Sequence, residues 1–284
     1  VEMTIATGRR AFFGTSLATS LILGLVALGS GARADAPSLP GTNDPQARGL
    51  AIAQENDRRD QGWGDAKADM KMVLTNASGE TSERELRFMM LENPGGNDGN
   101  WSLMTFDKPT DIEGTALLTY SHVKEADEQW LYLPTVKRVK RISSANKSGP
   151  FVGSEFAFED FSTQQVGKFS YKWLRDEACE DRTCHVVERT PQYEDSGYTR
   201  EVVWIDTTDY QFRKIDYYDR KDSLLKTLTY KDYKLHENKF WRPGELDMEN
   251  HETNKTTRLI WNGYSFHTGL SQNDFTTASL ERAR

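Results

Sequence analysis

From Gly62 onward the chain takes on a period of two. In Asp65-Ala-Lys-Ala-Asp-Met-Lys-Met-Val-Leu74, the residues Ala66, Ala68, Met70, Met72 and Leu74 occupy alternate positions, with Asp65, Lys67, Asp69 and Lys71 between them. Successive side chains of a strand point to opposite faces, so this pattern predicts a strand buried on one side and solvated on the other. The pattern recurs after the turn-forming Asn76-Ala-Ser-Gly79, where Leu86, Phe88 and Met90 share one face and Glu83, Glu85 and Arg87 the other. Asn93-Pro-Gly-Gly-Asn-Asp-Gly99 reads as a loop. Further strands are expected at 101–106, 115–120, 167–175, 185–190, 198–206, 211–219, 224–234, 239–249 and 255–261. Roughly a dozen strands at hairpin spacing, with little helix, predict a mainly β protein built on a single large antiparallel sheet, strongly curved or nearly closed. Such a sheet has one solvated face and one concave face that is either filled by side chains or left to hold a ligand.

Ahead of the strands, Asn43-Asp-Pro45 supplies a cap and a first-turn proline for a helix over 45–59, with Ala47, Leu50, Ala51 and Gln54 as its packing stripe. Further upstream, Arg9 and Arg10 precede an apolar run from Leu17 to Leu28, and Ala32-Arg-Ala34 has the small-x-small form that signal peptidase reads. Residues 1–34 are therefore expected to be a signal peptide cleaved after Ala34, 35–43 a flexible tail and 44–284 one domain in the periplasm of a Gram-negative cell. No later segment approaches the ~20 apolar residues of a membrane helix.

At 37% hydrophobic and 28% charged residues the chain can build a core and is not of disordered type. Its formal charge is −7, and losing the arginine-rich leader makes it more acidic. Neutralising phosphates needs a concentrated basic face, so nucleic acid is not expected as a partner. Cys179 and Cys184, with four residues between them in Ala178-Cys-Glu-Asp-Arg-Thr-Cys-His185, are the two cysteines. In an oxidising compartment this pair is expected to be a disulfide clamping a hairpin; the redox motif would need two intervening residues.

Two stretches call for more than a sheet. In Asp127-Glu-Gln-Trp-Leu-Tyr-Leu-Pro134, Trp130 and Tyr132 fall on one face and Leu131 and Leu133 on the other, so this strand is expected to be covered on both sides. Val136-Lys-Arg-Val-Lys-Arg-Ile142 then mixes cations and aliphatics on each face. It reads either as a solvated edge strand that resists aggregation, or as a basic lip where Arg138 and Lys140 meet anionic head groups beside an apolar pocket. Between Gly149 and Phe161, the rings of Phe151, Phe156, Phe158 and Phe161 are too dense for an exposed loop. They form either a permanent plug or a movable lid hinged at glycines. Met70, Met72, Met89, Met90 and Met104 lie in nearby strands, and the flexible thioether suits a pocket for varied apolar shapes.

Enzymatic signatures are weak. The histidines at 122, 185, 236, 251 and 267 are scattered, and no Gly-x-Ser-x-Gly elbow or phosphate-cradling loop occurs. Glu155, Glu159 and Asp160 lack a neighbouring nucleophile and are expected to be solvated or paired with the cations at 137–141. No metal, cofactor or catalytic residue is expected.

The motifs Asp127–Pro134, Lys137–Ile142, Ser143–Gly149 and Phe151–Phe161, with Gly114-Thr-Ala-Leu-Leu118 and Val203-Trp-Ile-Asp206, resemble the exported outer-membrane lipoprotein-sorting protein family, the LolA/LolB-like periplasmic lipid or lipoprotein carriers. The resemblance spans about Asp44 to Ser279. It implies a half-open, incomplete β-barrel lidded by a few helices, enclosing an apolar cavity for acyl chains. It also implies a lipid or acylated cargo, an inner-membrane exporter of the resistance-nodulation-division type, and an outer-membrane acceptor. The Lys/Arg strip and the Glu-Asp-Phe segment depart from the lipoprotein carrier itself, which separates fold from cargo. The expected ligand-binding set is Met70, Met72, Phe88 and Met90 on the first two strands, Trp130, Tyr132, Arg138 and Lys140 on the next stretch, and Phe151, Phe156, Phe158 and Phe161 on the lid. Two other readings stay open: a hydrolase acting on a lipid-like substrate, and a structural accessory subunit of an exporter.

Overall fold

The computed structural model describes residues 43–93, 98–162 and 164–282; the expected signal peptide and all but the last residue of the expected tail lie outside the described residues. The helix α1 (Pro45–Arg59) leads into β1 (Asp65–Thr75), β2 (Thr81–Leu91), β3 (Trp101–Lys108), β4 (Ala116–Tyr120), β5 (Glu128–Leu133) and β6 (Arg138–Ile142). After a long connection come β7 (Phe169–Cys179), β8 (Arg182–Pro191), β9 (Arg200–Asp206), β10 (Phe212–Tyr218) and β11 (Leu224–Lys231). The chain ends with β12 (Lys234–His236), β13 (Phe240–Arg242), β14 (Glu245–Asn250), β15 (Lys255–Phe266) and the short helix α2 (Thr277–Arg282).

Thirteen strands form one antiparallel sheet in the order β6-β5-β4-β3-β2-β1-β15-β14-β11-β10-β9-β8-β7, and β12 pairs only with β13. The sheet is not closed: β6 and β7 are its two edges. They are also consecutive along the chain, so the connection 143–168 must pass from one edge to the other. This topological fact puts the aromatic segment across the sheet.

The alternation in β1 survives over 66–72, with Ala66, Ala68, Met70 and Met72 buried and Lys67 and Asp69 exposed, but Asp65, expected on the solvated face, is buried, where it accepts from the Thr268 amide at 2.7 Å. Two expected strands, 224–234 and 239–249, are each broken. Pro243 has no amide to donate, and the Gly244 amide instead bonds Lys231 O at 3.0 Å, where any Cβ would sit 2.9 Å from Asp232 O. The helix starts as expected, Asp44 accepting from the Gln46 amide at 3.0 Å with proline in the first turn. Its packing face differs: Gly49, Ile52 and Ala53 are buried, while Leu50 and Gln54 are exposed. Glycine is the reason. A Cβ at Gly49 would lie 2.8 Å from Trp173 N, so the helix docks backbone to backbone on β7 at the one residue without a side chain.

One continuous apolar cluster, from Met72 and Leu86 through Met104 and Leu117 to Val187, Ile205, Ile215 and Leu228, defines the inner face, and it takes in Ile52 of α1 and Phe151 and Phe156 of the connection. A second cluster lies on the outer face, where Phe275 and Leu280 cover Leu103, Ala116, Leu118 and Tyr132. The two helices therefore serve opposite faces. The disulfide Cys179–Cys184 joins β7 to β8 at their hairpin end, Cα atoms 5.8 Å apart.

Candidate functional site

The connection between the edges is held to the inner face by polar groups from distant strands. Lys226 of β11 reaches Asp160 at 2.7 Å and the Glu155 carbonyl at 3.1 Å, with both ionic side chains under 5% exposed (4% and 3%). The Tyr198 hydroxyl donates to Asp160 at 2.8 Å, and Asp160 also accepts from the Ala157 amide at 2.7 Å. Glu155 donates its amide to Thr257 at 3.0 Å and accepts from Asn250 at 2.6 Å. Gln129 holds the Phe158 carbonyl at 2.8 Å, and Arg84 holds that of Val152 at 2.5 Å. A buried ion pair in low dielectric persists only with such added hydrogen bonds. These contacts correct the expectation that Glu155, Glu159 and Asp160 pair with the cations at 137–141: their partners arrive from the opposite half of the sheet, which sequence proximity could not indicate.

Glu159 is the anchor with the unusual acidity. Its carboxylate accepts from the Gly197 amide at 2.8 Å and from Ser196 at 3.0 Å. Burial, reinforced by the Asp160 charge, pushes its pKa up to about 7.

The aromatic residues divide into two layers. Phe151 is fully buried, its ring 5.7 Å from Phe106, 4.7 Å from Phe161 and 5.5 Å from Phe158. Phe156 and Phe161, 5.5 Å apart, roof a cavity of about 220 Å³ floored by Met70, Phe88, Met90 and Met104, with Leu228, Leu246, Leu259 and Trp261 along the far wall. The structure thus brings Met70, Phe88, Met90, Phe156 and Phe161 to one cavity. Met72, Phe151 and Phe158 belong to the packing around it, not to its lining. Trp130 and Tyr132 are on the outer face, because β5 pairs Tyr132 with Ala116 and Trp130 with Leu118, whose side chains lie under Phe275 and Leu280. Arg138 and Lys140 are exposed on the edge strand and line neither this cavity nor its neighbour. Nearby Arg141 pairs with Glu128 at 2.5 Å.

Sequence reasoning missed Trp261, Leu246, Tyr217 and Leu228, all cavity-lining. The signal was available for Trp261, which shares alternation with the buried Thr257 and Leu259. Three polar atoms at this cavity, Ser162 Oγ, Gln164 Oε1 and Trp261 Nε1, are buried without a hydrogen-bond partner among the described residues. Leaving a buried polar atom unpaired costs roughly 1–3 kcal/mol each. Ser162 and Gln164 also line a second, polar groove of about 580 Å³, with Lys124, Lys147, Lys168, Asp127, Glu159 and Tyr193 on its walls. Among the described residues no cluster of His, Cys, Asp or Glu could hold a metal ion, and no helix is long and apolar enough to cross a membrane.

A family profile described as "Uncharacterized protein" matches residues 81–282. An outer membrane lipoprotein-sorting protein domain from Vibrio parahaemolyticus is 49% identical, covering 83% of this chain and 99% of that one with a TM-score of 0.81. A DUF1329 family protein from Desulfovibrio piger is 27% identical over 84% of this chain and 99% of its own, at a TM-score of 0.79. A LolA superfamily protein from Nitrosomonas europaea, 18% identical with a TM-score of 0.65 over 81% of this chain and 98% of that one, shares the fold. No curated protein matches the chain.

Proposed function

The chain belongs to the outer-membrane lipoprotein-sorting protein family, and from that premise we propose that it is a carrier that holds an acyl chain of a lipid or lipidated cargo under Phe156 and Phe161 and moves it through the periplasm between inner and outer membrane. The observation that carries this reading is the apolar cavity of about 220 Å³ between the open sheet and the aromatic connection. At roughly 30 Å³ per water-sized group it accommodates about seven methylene-sized units. At about 0.8 kcal/mol per buried methylene, their transfer contributes roughly 6 kcal/mol before ordering costs. A longer chain requires Phe156 and Phe161 to swing aside while Lys226 and Asp160 hold the connection. Methionines on the floor adapt to such variation.

In this proposal a resistance-nodulation-division-type exporter supplies the cargo and an outer-membrane acceptor receives it. Native mass spectrometry of the chain purified from periplasm tests the central point. Co-purifying lipid in the unmodified chain, strongly reduced in the cavity-filling variant Leu246→Trp, is the expected result. A lipid-free protein whose cavity excludes added acyl chains would instead favour the structural accessory subunit, and turnover of an added lipid ester would favour the hydrolase.

A further inference from the structure

Of the three polar atoms unpartnered among the described residues, Ser162 Oγ and Gln164 Oε1 lie where the two cavities meet. Ser162 and Gln164 line both the apolar cavity and the polar groove, and Trp261 lines the apolar cavity alone. A site for hydrocarbon alone has no use for an indole N–H, a hydroxyl and an amide oxygen that find no partner among the described residues. Each of these atoms has almost no exposed area in the described arrangement, so a partner reaches them only when neighbouring side chains shift. We propose that cavity and groove form one site for a single amphiphile: its acyl chain lies in the cavity, its ester or amide linkage bonds Trp261, Ser162 and Gln164, and its amine-bearing, zwitterionic head lies in the groove. This assignment rests on the carrier reading above.

The chemistry of each part follows from the groups present. Trp261 Nε1 donates only, so it requires an acceptor, which a linkage carbonyl provides. The Gln164 oxygen requires a donor, which a glycerol hydroxyl or an amide N–H provides, and the Ser162 hydroxyl serves either role. The groove selects against a purely anionic head group. Its walls carry three lysines, 124, 147 and 168, against the four carboxylates of Glu125, Asp127, Glu194 and Asp195 and the partly protonated Glu159. Lys168 is already paired with Asp127, and Lys147 donates to the Asp127 carbonyl. Burial lowers the pKa of Lys147. Lys124 is left to meet a phosphate, and Glu194 and Asp195 to meet an amine. The basic strip on β6, which sequence alone offered for head groups, lines no part of this groove.

Displacement of N-phenyl-naphthylamine from the full chain tests the assignment, with three probes: myristoyl lysophosphatidylethanolamine, its ether analogue lacking the carbonyl, and myristoyl lysophosphatidylglycerol. The ester is expected to bind about tenfold more tightly than the ether, the worth of one hydrogen bond, and Trp261→Phe is expected to abolish that ratio. Should Trp261→Phe fail to fold, Gln164→Leu is the second reading: it is expected to weaken ester and ether alike, because both carry the glycerol hydroxyl from which its oxygen accepts, and no loss in either overturns the assignment. The ethanolamine head is expected to be favoured several-fold over glycerol, and Glu194→Lys with Asp195→Lys to reverse the preference. Equal affinities for ester and ether, or a preference for the anionic head, overturn the amphiphile assignment while the carrier stands. Failure of every amphiphile to displace the dye overturns the carrier reading itself.

Discussion

The edge strand β6 and the connection that follows it are neighbours in sequence, and both mix charge with apolar bulk, yet they end in opposite environments. Arg138 and Lys140 remain in water on an unpaired edge, where charge discourages further strand pairing. Asp160 and Glu159 go inside, each with several donors. What separates them is the availability of partners brought by other strands: Lys226 is 66 residues from Asp160 in the chain. A charged residue in a sequence shows only that a partner or solvent must be found. The topology, in which the two edges are consecutive strands, decides which.

The comparison breaks most visibly at Lys226. Lys226→Met removes the cation and leaves Asp160 buried beside Tyr198 with no counter-charge, so a loss of about 3–5 kcal/mol is expected in chemical denaturation. Combining it with Asp160→Asn should recover much of that loss, since the uncompensated charge is then gone. A double variant as unstable as Lys226→Met would show that packing, not charge, holds the connection.

How much of this was legible beforehand varies with the range of the interactions. Strands such as β1 and β2 follow from alternation of adjacent residues, and their bounds lie close to those expected. The face of α1 was misjudged because an apolar stripe counts side chains, whereas the contact at Gly49 depends on lacking one. In the site, Met70, Phe88 and Met90 come together because a single alternation places them on one face and β1 pairs with β2. Trp130 and Tyr132 show the limit. Both faces of β5 are apolar, and only the C-terminal segment with Phe275 and Leu280 determines which is the outer one.

Glu159 sharpens the comparison through pH. Its folded pKa of about 7 stands above its ordinary 4.5, so between these values the native state holds a proton that the unfolded chain has lost. Stability therefore falls as pH rises through that window, by about 3 kcal/mol in all, and levels off above it. Unfolding by urea at about pH 5 and about pH 8 measures this, and Glu159→Gln should flatten the difference. A Glu159→Gln chain with an unchanged pH profile would place the titration elsewhere.

The disulfide at the β7 edge is expected to matter less. Its loop is short, so reduction should cost about 2 kcal/mol. The effect should be local, because the hairpin remains packed through Val186 and Trp204 on the outer face. Hydrogen exchange before and after reduction would show it as faster exchange confined to the ends of β7 and β8.

The smallest effect is expected at the edge strand itself, which makes it the control for the other three. Arg138→Glu with Lys140→Glu reverses two exposed charges that have no strongly buried partner, and exposed pairs contribute about 0–1 kcal/mol. Stability should shift by no more than about 0.5 kcal/mol, most at low ionic strength, where screening is weakest. The original attraction of the strip as a head-group lip predicts something else: weaker binding of an anionic amphiphile at low salt with no change in stability. Because neither residue lines the cavity or the groove, lysophosphatidylglycerol should bind the double variant and the unmodified chain with affinities equal to within about twofold at any salt concentration. A salt-dependent loss of binding would restore the lip and move the head group out of the groove, to the edge where the sheet ends.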